Sequence, residues 1–477
     1  MADINQHEAK NKQVKTGPIM AALLISGFMG MFSETALNMA IHDLINEFHI
    51  SASTAQWLTT GYLLVLGILI PVSGLLIKRF PTRNLFITSL SFSIVGLLVA
   101  GVSPSFSVLL SGRMIQAVGT GLLLPLLFHT VLVLFPPAKR GTAMGLVGLV
   151  MMFAPALGPV SAGFIIEYLN WHMIFWIIIP FLVFAIVFGI AFLPNLTEIS
   201  KHRIDMLSIV LSTIGFGGIV FGISYAGERE GWSSPVVLIA LIAGIIALAV
   251  YIIRQLSIDE PVLYLQVFKR PMFTLGIIVT LFANIIIFSS NILLPLYMQG
   301  GLGLSASKAG LLLLPGGIIN GIMSMVNGRI FDKYGPRGLV IGGFVISTIV
   351  VWLFSIISSF DSAYIIIFFY MLLMVSMSMV TTPSQTNGIN QLDPSLYPDG
   401  TAMVNSMIQT SGAMGTAIAI SILNGSKNAV LSQVNHPSGI DQAEAIVTGV
   451  QHAFAFAAFV SLAGFICSLF IKRVQVE

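Results

Sequence analysis

Long apolar stretches alternate with short polar ones along the whole chain. Fourteen of these stretches are close to the roughly 20 residues that a helix needs to cross the hydrocarbon core of a membrane. They lie near residues 18–40, 54–77, 84–102, 106–135, 140–166, 172–193, 205–226, 235–253, 272–298, 305–330, 338–357, 363–385, 399–424 and 452–471. The pattern predicts an all-α integral membrane protein with fourteen transmembrane helices, numbered here as spans one to fourteen. The longest outer segment is predicted at 425–451.

The chain also contains an internal repeat. The segment Gly74–Arg83 recurs loosely as Gly328–Arg337, and Gly141-Thr-Ala-Met144 recurs identically as Gly400-Thr-Ala-Met403. The offsets, 254 and 259 residues, are nearly equal, so spans one to six repeat as spans nine to fourteen. We therefore predict two pseudo-symmetric six-helix bundles, residues 1–200 and 261–477, with two inserted helices at 201–260. This plan is typical of transporters, which bind substrate near the midplane between the halves.

Composition excludes other classes of protein. The chain is 56% hydrophobic and 9% charged, whereas soluble domains are about 25% charged. The net charge of +3 gives no reason to expect a nucleic acid partner, and the single cysteine can form neither an intramolecular disulfide nor a cysteine-based metal site. We predict no metal and no cofactor.

The distribution of basic residues predicts the orientation. With the amino terminus in the cytoplasm, eighteen of the 22 Lys and Arg residues fall in inner segments, and only Arg229, Lys308 and Lys427 fall outside. Because cytoplasmic loops carry the excess of positive charge, we predict a multi-pass cell (plasma) membrane protein with both termini in the cytoplasm.

Two ionisable residues lie inside spans. Glu34 is the one acid of nineteen that lies within a span away from its ends, and Arg113 lies in span four at a comparable depth. Burial favours a neutral carboxylic acid, whereas a nearby cation favours the carboxylate, so the pair is suited to exchange a proton. We predict a proton-coupling site of Glu34, Arg113 and Gln116. The alternatives are a structural carboxyl at Glu34 and an Arg113 that extends to the outer headgroups.

Several segments together match a known family. Span one carries Ser33-Glu34-Thr35-Ala36-Leu37-Asn38, span four carries Arg113-Met-Ile-Gln116, and span five carries Ala154-Pro155-Ala-Leu-Gly158-Pro159-Val-Ser-Ala-Gly163. These motifs resemble those of the major facilitator superfamily, and within it the fourteen-span drug:proton antiporters, over essentially the whole chain. The span-five motif resembles a signature typical of exporters. Its prolines remove backbone hydrogen bonds and bend the helix, and Gly158 and Gly163 permit close helix packing.

The loop after span two resembles the gating loop of that family, in which an Asp and an Arg pair with helix ends when the cytoplasmic side is closed. Arg79 and Arg83 match the pattern, but Lys78 stands at the Asp position. The second copy, with Asp332 and Arg337, matches more closely. The predicted gating residues are therefore Arg79, Arg83, Pro155, Gly158, Pro159, Gly163, Asp332 and Arg337.

The substrate cavity is predicted from polar, aromatic and methionine side chains. Trp57 and Tyr62 match the family pattern in span two, and the 22 methionines supply adaptable apolar surface. The predicted cavity residues are Asn38, Trp57, Tyr62, Met151, Asn284, Asn291 and Met407.

We thus predict a secondary active transporter, not an enzyme, that exports hydrophobic or cationic amphipathic drugs in exchange for protons. The proton gradient is the predicted energy source, since the chain has no phosphate-binding loop of the Gly-x-x-x-x-Gly-Lys-Ser/Thr type. Its partners would be small molecules, protons and membrane lipid, and we expect a monomer. The alternatives are an exporter of a lipid, fatty acid or metabolite, a nutrient symporter, or a membrane-embedded enzyme or sensor, for which His129 is an isolated candidate.

Overall fold

The computed structural model describes residues 16–50, 52–55, 57–196, 205–226, 232–258, 261–358, 362–432 and 438–474. All secondary structure within these ranges is helical. The fourteen long helices are α1 Thr16–Ala36, α2 Trp57–Arg79, α3 Thr82–Gly101, α4 Phe106–Leu134, α5 Arg140–Tyr168, α6 His172–Phe192, α7 Met206–Tyr225, α8 Pro235–Ser257, α9 Pro271–Leu296, α10 Ala306–Tyr334, α11 Arg337–Ser355, α12 Ala363–Ile389, α13 Tyr397–Leu431 and α14 Gly439–Ser468. The predicted fourteen-helix membrane fold is therefore confirmed.

Two of these helices are sharply bent. Twelve helices are long and apolar enough to cross a membrane as single helices. The other two, α2 and α5, qualify as spans when the two segments on either side of the bend are counted together. In α2 the segments Trp57–Ile70 and Val72–Arg79 meet at 53°, and in α5 the segments Arg140–Pro155 and Val160–Tyr168 meet at 40°. Both bends lie at prolines, which lack the backbone N–H of a regular helix.

The packing of the helices repeats between the two halves. In the first half, α1 packs against α5 and α6, α2 against α4, and α3 against α4 and α6. In the second half, α9 packs against α13 and α14, α10 against α12, and α11 against α12 and α14. These are the same contacts shifted by eight helices, so the sequence repeat corresponds to two equivalent six-helix bundles.

The two bundles join most closely at one end of the molecule. This end carries Lys78, Lys139, Arg140 and Arg329, and it is called the basic end below. One apolar core runs from Ile19 to Leu193 and continues into residues of the second bundle that lie near the basic end, including Phe273, Ile389, Tyr397 and Val404. A second core lies within the second bundle. The closest packing between bundles is that of α5 against α10.

The inserted helices α7 and α8 pack against each other and, through α7, against α2 and α13. Asp205 precedes α7 and accepts hydrogen bonds from Arg254 Nε at 2.7 Å and Nη2 at 3.1 Å. The Arg254 guanidinium lowers the pKa of Asp205 to about 2. This pair ties the two inserted helices together at one end.

Two helix boundaries differ from the sequence prediction. Helix α1 ends at Ala36, and a 3-10 turn (Leu37–Ala40) and a short helix (Ile41–Phe48) continue the chain. The predicted outer segment 425–451 is wrong in extent, because α13 continues to Leu431 and α14 begins at Gly439. Ser438 and Asp441 form a capping box that starts α14 within a polar sequence.

Candidate functional site

A buried arginine lies at the centre of the candidate site. Arg113 in α4 is 1% exposed. Its Nη1 donates hydrogen bonds to the Ser33 carbonyl oxygen at 3.2 Å and to Gln116 Oε1 at 2.8 Å. Gln116 Nε2 donates to Ser33 Oγ at 2.7 Å. The guanidinium is thus held inside the bundle between α1 and α4, and it does not extend to the outer headgroups.

An aromatic ring covers the same guanidinium. Arg113 Cζ lies 4.2 Å from the ring centroid of Tyr62 in α2, a cation–π contact. The Tyr62 hydroxyl donates to Thr120 Oγ1 at 2.8 Å. Tyr62 is 0% exposed. Tyr62 is also predicted to line the substrate cavity. In this conformation its ring packs on Arg113 and its hydroxyl is bonded within the bundle, so that role stays a prediction.

Glu34 lies beside this cluster, and its carboxyl group forms no ion pair with any residue that the structure describes. Its side chain is partly exposed, while its Oε2 atom is buried and accepts no hydrogen bond among the described residues. Glu34 and Arg113 lie close enough to interact electrostatically. The Nε of Arg113 is likewise buried and has no hydrogen-bond partner in the described part of the chain. A possible donor atom and a possible acceptor atom thus belong to neighbouring side chains, and neither has a partner in the part of the chain that the structure describes.

Sequence reasoning missed two members of the cluster. Ser33 is the shared acceptor for Arg113 and Gln116, and Thr120 is the acceptor for Tyr62. Both are small hydroxyl residues in helices, where most such residues bond only to their own helix. The one available signal was the direct adjacency of Ser33 to Glu34.

The bent region of α5 packs directly on the helical turn Phe32–Ala36 of α1, which contains Glu34 and is called the Glu34 turn below. A Cβ added at Gly158 would lie 3.1 Å from the Phe32 carbonyl oxygen and 3.2 Å from Ala36 N, and it would collide with the Thr35 side chain. Pro155 and Pro159 bracket the 40° bend of α5. The predicted close packing at Gly163 is wrong, because no atom lies within 4 Å of an added Cβ there.

The remaining predicted cavity residues do not form one cluster. The Trp57 ring packs on Phe221 of the inserted helix α7, at 6.0 Å between centroids. Asn284 is buried and donates to Thr280 O within α9, and Asn291 accepts a hydrogen bond from the Tyr370 hydroxyl at 3.0 Å. Met151 and Met407 are partly buried against the first apolar core. The side chain of Asn38 lies outside the described residues.

At the basic end, Asp332 of α10 binds the beginning of α5 in the other bundle. Its carboxylate accepts from Gly141 N at 2.8 Å, from Thr142 N at 2.9 Å and from Thr142 Oγ1 at 2.7 Å. A carboxylate at a helix amino terminus satisfies free N–H groups and interacts favourably with the helix dipole. Asp332 therefore links the bundles when they are closed at this end.

At the equivalent position of the first half, the residue is Lys78, which has the opposite charge to Asp332. Lys78, at the end of α2, forms a buried ion pair with Asp399 in the first turn of α13. Asp399 Oδ1 also accepts from Tyr264 N at 3.1 Å, and Lys78 Nζ lies 4.4 Å from the Tyr264 ring centroid. Lys78, which departs from the family motif, thus has Asp399 as an acidic partner. The hydropathy pattern had placed Asp399 at the end of a span.

The other predicted gating arginines lie elsewhere. The backbone N–H of Arg83 donates to Asn195 within the first bundle, and Arg337 is exposed at the beginning of α11. Among the described residues, the side chains of Arg83 and Arg337 form no ion pair between the bundles, so their gating role stays a prediction. Arg79 is partly buried in the last turn of α2. Arg140, by contrast, does bridge the bundles, through Tyr397 OH at 2.8 Å and Asn390 Oδ1 at 3.1 Å.

Comparisons with known proteins agree with this architecture. A family profile described as Major Facilitator Superfamily matches residues 23–416. The chain is 56% identical over 471 residues to the lincomycin resistance protein LmrB of Bacillus subtilis (strain 168), with 98% of each chain covered. It is 31% identical over 325 residues to the multidrug export protein EmrB of Escherichia coli (strain K12), covering 68% of this chain and 64% of EmrB. The human organic anion transporter MFSD10 has a similar fold, with a TM-score of 0.60 at 14% identity over 94% of this chain and 100% of its own.

Proposed function

The chain belongs to the Major Facilitator Superfamily, and from this premise we propose that it exports drugs in exchange for protons. One observation carries the proposal most directly. Glu34 Oε2 and Arg113 Nε are both buried and have no hydrogen-bond partner among the described residues, although the two side chains influence each other electrostatically. Leaving both unpaired is costly if the carboxyl is ionised. The arrangement is therefore best explained by a protonated Glu34 in this conformation.

The coupling step follows from that arrangement. A neutral Glu34 has little attraction for Arg113, whose guanidinium keeps its bonds to Ser33 and Gln116. Loss of the proton creates a carboxylate, which is drawn to the free Arg113 Nε because an opposite charge stabilises the ionised form. That movement takes place in α1 just before the 3-10 turn Leu37–Ala40 and beside the close contact of α1 with Gly158. Proton release is thus linked mechanically to the bend of α5.

The proposed orientation places the basic end in the cytoplasm. Glu34 lies eighteen residues into α1, about 27 Å from the beginning of the helix at that end. The bundles are joined at the basic end by Asp332 and by the ion pair of Lys78 with Asp399. In this conformation Glu34 would therefore take its proton from the outside, and the transporter would act as a monomer in the plasma membrane.

The proposed substrates are hydrophobic or cationic amphipathic drugs, and lincomycin is the first to test. The support is the 56% identity to LmrB over nearly the full length of both chains. Export of a lipid, fatty acid or metabolite remains the alternative, but no described residue specifically favours it.

The direct test is transport in vesicles. Purified protein in liposomes would be given radiolabelled lincomycin with a pH gradient, and the uptake would be compared with and without an ionophore that collapses the gradient. Gradient-dependent accumulation supports exchange with protons. Accumulation that is unaffected by the ionophore would contradict proton coupling, and absence of any lincomycin transport, with activity on another drug, would contradict only the substrate.

A further inference from the structure

A pocket at the basic end has a composition that the transport function does not explain. It opens between α1, α5 and α10 with a volume of about 420 Å³. Its walls are mostly apolar, from Met20, Phe135, Leu146 and Met325, and its two charged residues are Lys139 and Arg329. The volume is within the range of small-molecule sites.

The two charged residues come from different bundles. Lys139 ends the 3-10 turn before α5, and Arg329 lies on α10. Both are exposed, and within the described ranges neither has a carboxylate partner. Two cations without an ion-pair partner among the described residues attract an anion and repel a cationic drug, so the pocket is better suited to an anionic ligand than to the proposed cationic substrates.

The pocket lies close to the ends of two helices that form it. Met20 lies four residues from the beginning of α1, about 6 Å along the helix axis. Arg329 lies five residues before the end of α10, about 8 Å from it. We propose that this pocket binds an anionic phospholipid, with the phosphate at Lys139 and Arg329 and part of an acyl chain against the apolar wall. Basic pockets between transmembrane helices recognise anionic headgroups in this way.

Such a lipid would lie against the contact that joins the bundles. Thr142 lines the pocket and also donates two hydrogen bonds to Asp332. A phosphate bound by Lys139 of one bundle and Arg329 of the other bridges the same seam. Bound lipid therefore stabilises the conformation closed at the basic end.

Native mass spectrometry of the purified full-length protein can test this site. The protein would be titrated with phosphatidylglycerol and with phosphatidylcholine of the same acyl chains. The double variant Lys139→Gln/Arg329→Gln removes both cations, and Lys269→Gln/Lys333→Gln removes two exposed cations of the same end that lie outside the pocket. Each cation near a headgroup contributes roughly fivefold to affinity. We expect the first variant to bind phosphatidylglycerol on the order of thirty-fold more weakly and phosphatidylcholine as before, and the second variant to be unchanged.

Three results would overturn the proposal. One is equal affinity of the unmodified protein for the two lipids. Another is an equal loss of phosphatidylglycerol binding in both double variants, which would indicate general surface charge. The third is displacement of phosphatidylglycerol by soluble glycerol phosphate at similar concentration, which would indicate an anion site that needs no acyl chain. None of these results depends on the transported drug or on proton coupling.

Discussion

Lys78 at the end of α2 and Asp399 at the beginning of α13 form a buried ion pair that joins the two bundles at the basic end. Lys78 stands where the family motif has an acid, and Asp399 directly precedes the repeated Gly-Thr-Ala-Met segment. In the other half the acid is Asp332 and the residue before the repeat is Arg140. The charge at this loop position is therefore positive in the first half and negative in the second. Lys78 pairs with Asp399, and Asp332 accepts hydrogen bonds from the backbone of Gly141 and Thr142.

Breaking the ion pair should destabilise the protein strongly. Lys78→Met or Asp399→Asn leaves the other charged group buried without its counter-ion, a loss of about 3–5 kcal/mol for pairs of this kind. The exchange Lys78→Asp/Asp399→Lys should recover part of the loss, but not the hydrogen bond from Tyr264 N to Asp399. Thermal unfolding in detergent would measure these changes.

The exposed pair Arg270 and Asp393 provides the control for that experiment. Their side chains are 48% and 62% exposed, and such pairs contribute at most about 1 kcal/mol. Arg270→Gln should therefore shift the unfolding temperature much less than Lys78→Met. Equal shifts would show that burial of the Lys78 pair has no particular energetic weight.

Replacement of Asp332 by Asn should loosen the basic end. The amide keeps one acceptor oxygen and loses the charge that interacts with the amino terminus of α5, where each charge-assisted bond contributes about 1.5–3 kcal/mol. In a Cys467→Ser background, Ser324→Cys places a thiol at a buried position of α10 that contacts Gly148 of α5. We expect faster maleimide labelling of this thiol with Asp332→Asn. Unchanged labelling, with Lys333→Gln as the matched control, would argue against Asp332 as a link between bundles.

Gly158 and Gly163 form a matched pair in one helix. In open space, Gly→Ala stabilises a helix by up to about 1 kcal/mol, and this is the expectation for Gly163→Ala. At Gly158 the added methyl meets the backbone of α1 at 3.1–3.2 Å, and overpacking costs about 1–3 kcal/mol. Gly158→Ala should therefore lower both stability and transport, while Gly163→Ala leaves transport unchanged and stability equal or slightly higher. Equal effects would remove the argument for a tight seam at the Glu34 turn.

Tyr62 can be dissected by two substitutions. Tyr62→Phe keeps a ring over Arg113 and loses the bond to Thr120, a loss of about 1 kcal/mol. Tyr62→Leu loses the ring as well, and a desolvated cation–π contact adds about 2 kcal/mol. The thermal unfolding temperature should be highest for the unmodified protein, lower for Tyr62→Phe and lowest for Tyr62→Leu. A Leu variant as stable as the Phe variant would show that the contact with Arg113 contributes nothing.

Much of this fold could be predicted because membrane burial leaves a strong mark on sequence. Each span needs a long apolar run, and the offset repeat alone indicated two bundles. The beginning of α14 was missed because residues 439–451 are polar and helical, and hydropathy detects only the apolar part of a helix. The Ser438 and Asp441 capping box was the available local signal.

The candidate site was predicted less completely, for a different reason. The free-energy cost of burying a charged group marks Glu34 and Arg113 individually in the sequence. The residues that bond to them depend on how the helices face each other, which the sequence does not state. Lys78 and Asp399 are 321 residues apart, and each looked like an ordinary charge at a helix end. Ser33 is uncharged, so the cost of burial does not mark it in the sequence, although it accepts hydrogen bonds from both Arg113 and Gln116.

The most direct test of the account is proton-driven transport by Glu34→Gln in proteoliposomes, with Glu34→Asp as the matched control. Glutamine keeps the size and polarity of the side chain but cannot take up or release a proton. We expect Glu34→Gln to bind and exchange substrate across the membrane, yet to show no accumulation driven by a pH gradient, while Glu34→Asp retains part of it. Full gradient-driven accumulation by Glu34→Gln would contradict the central claim that Glu34 carries the coupled proton.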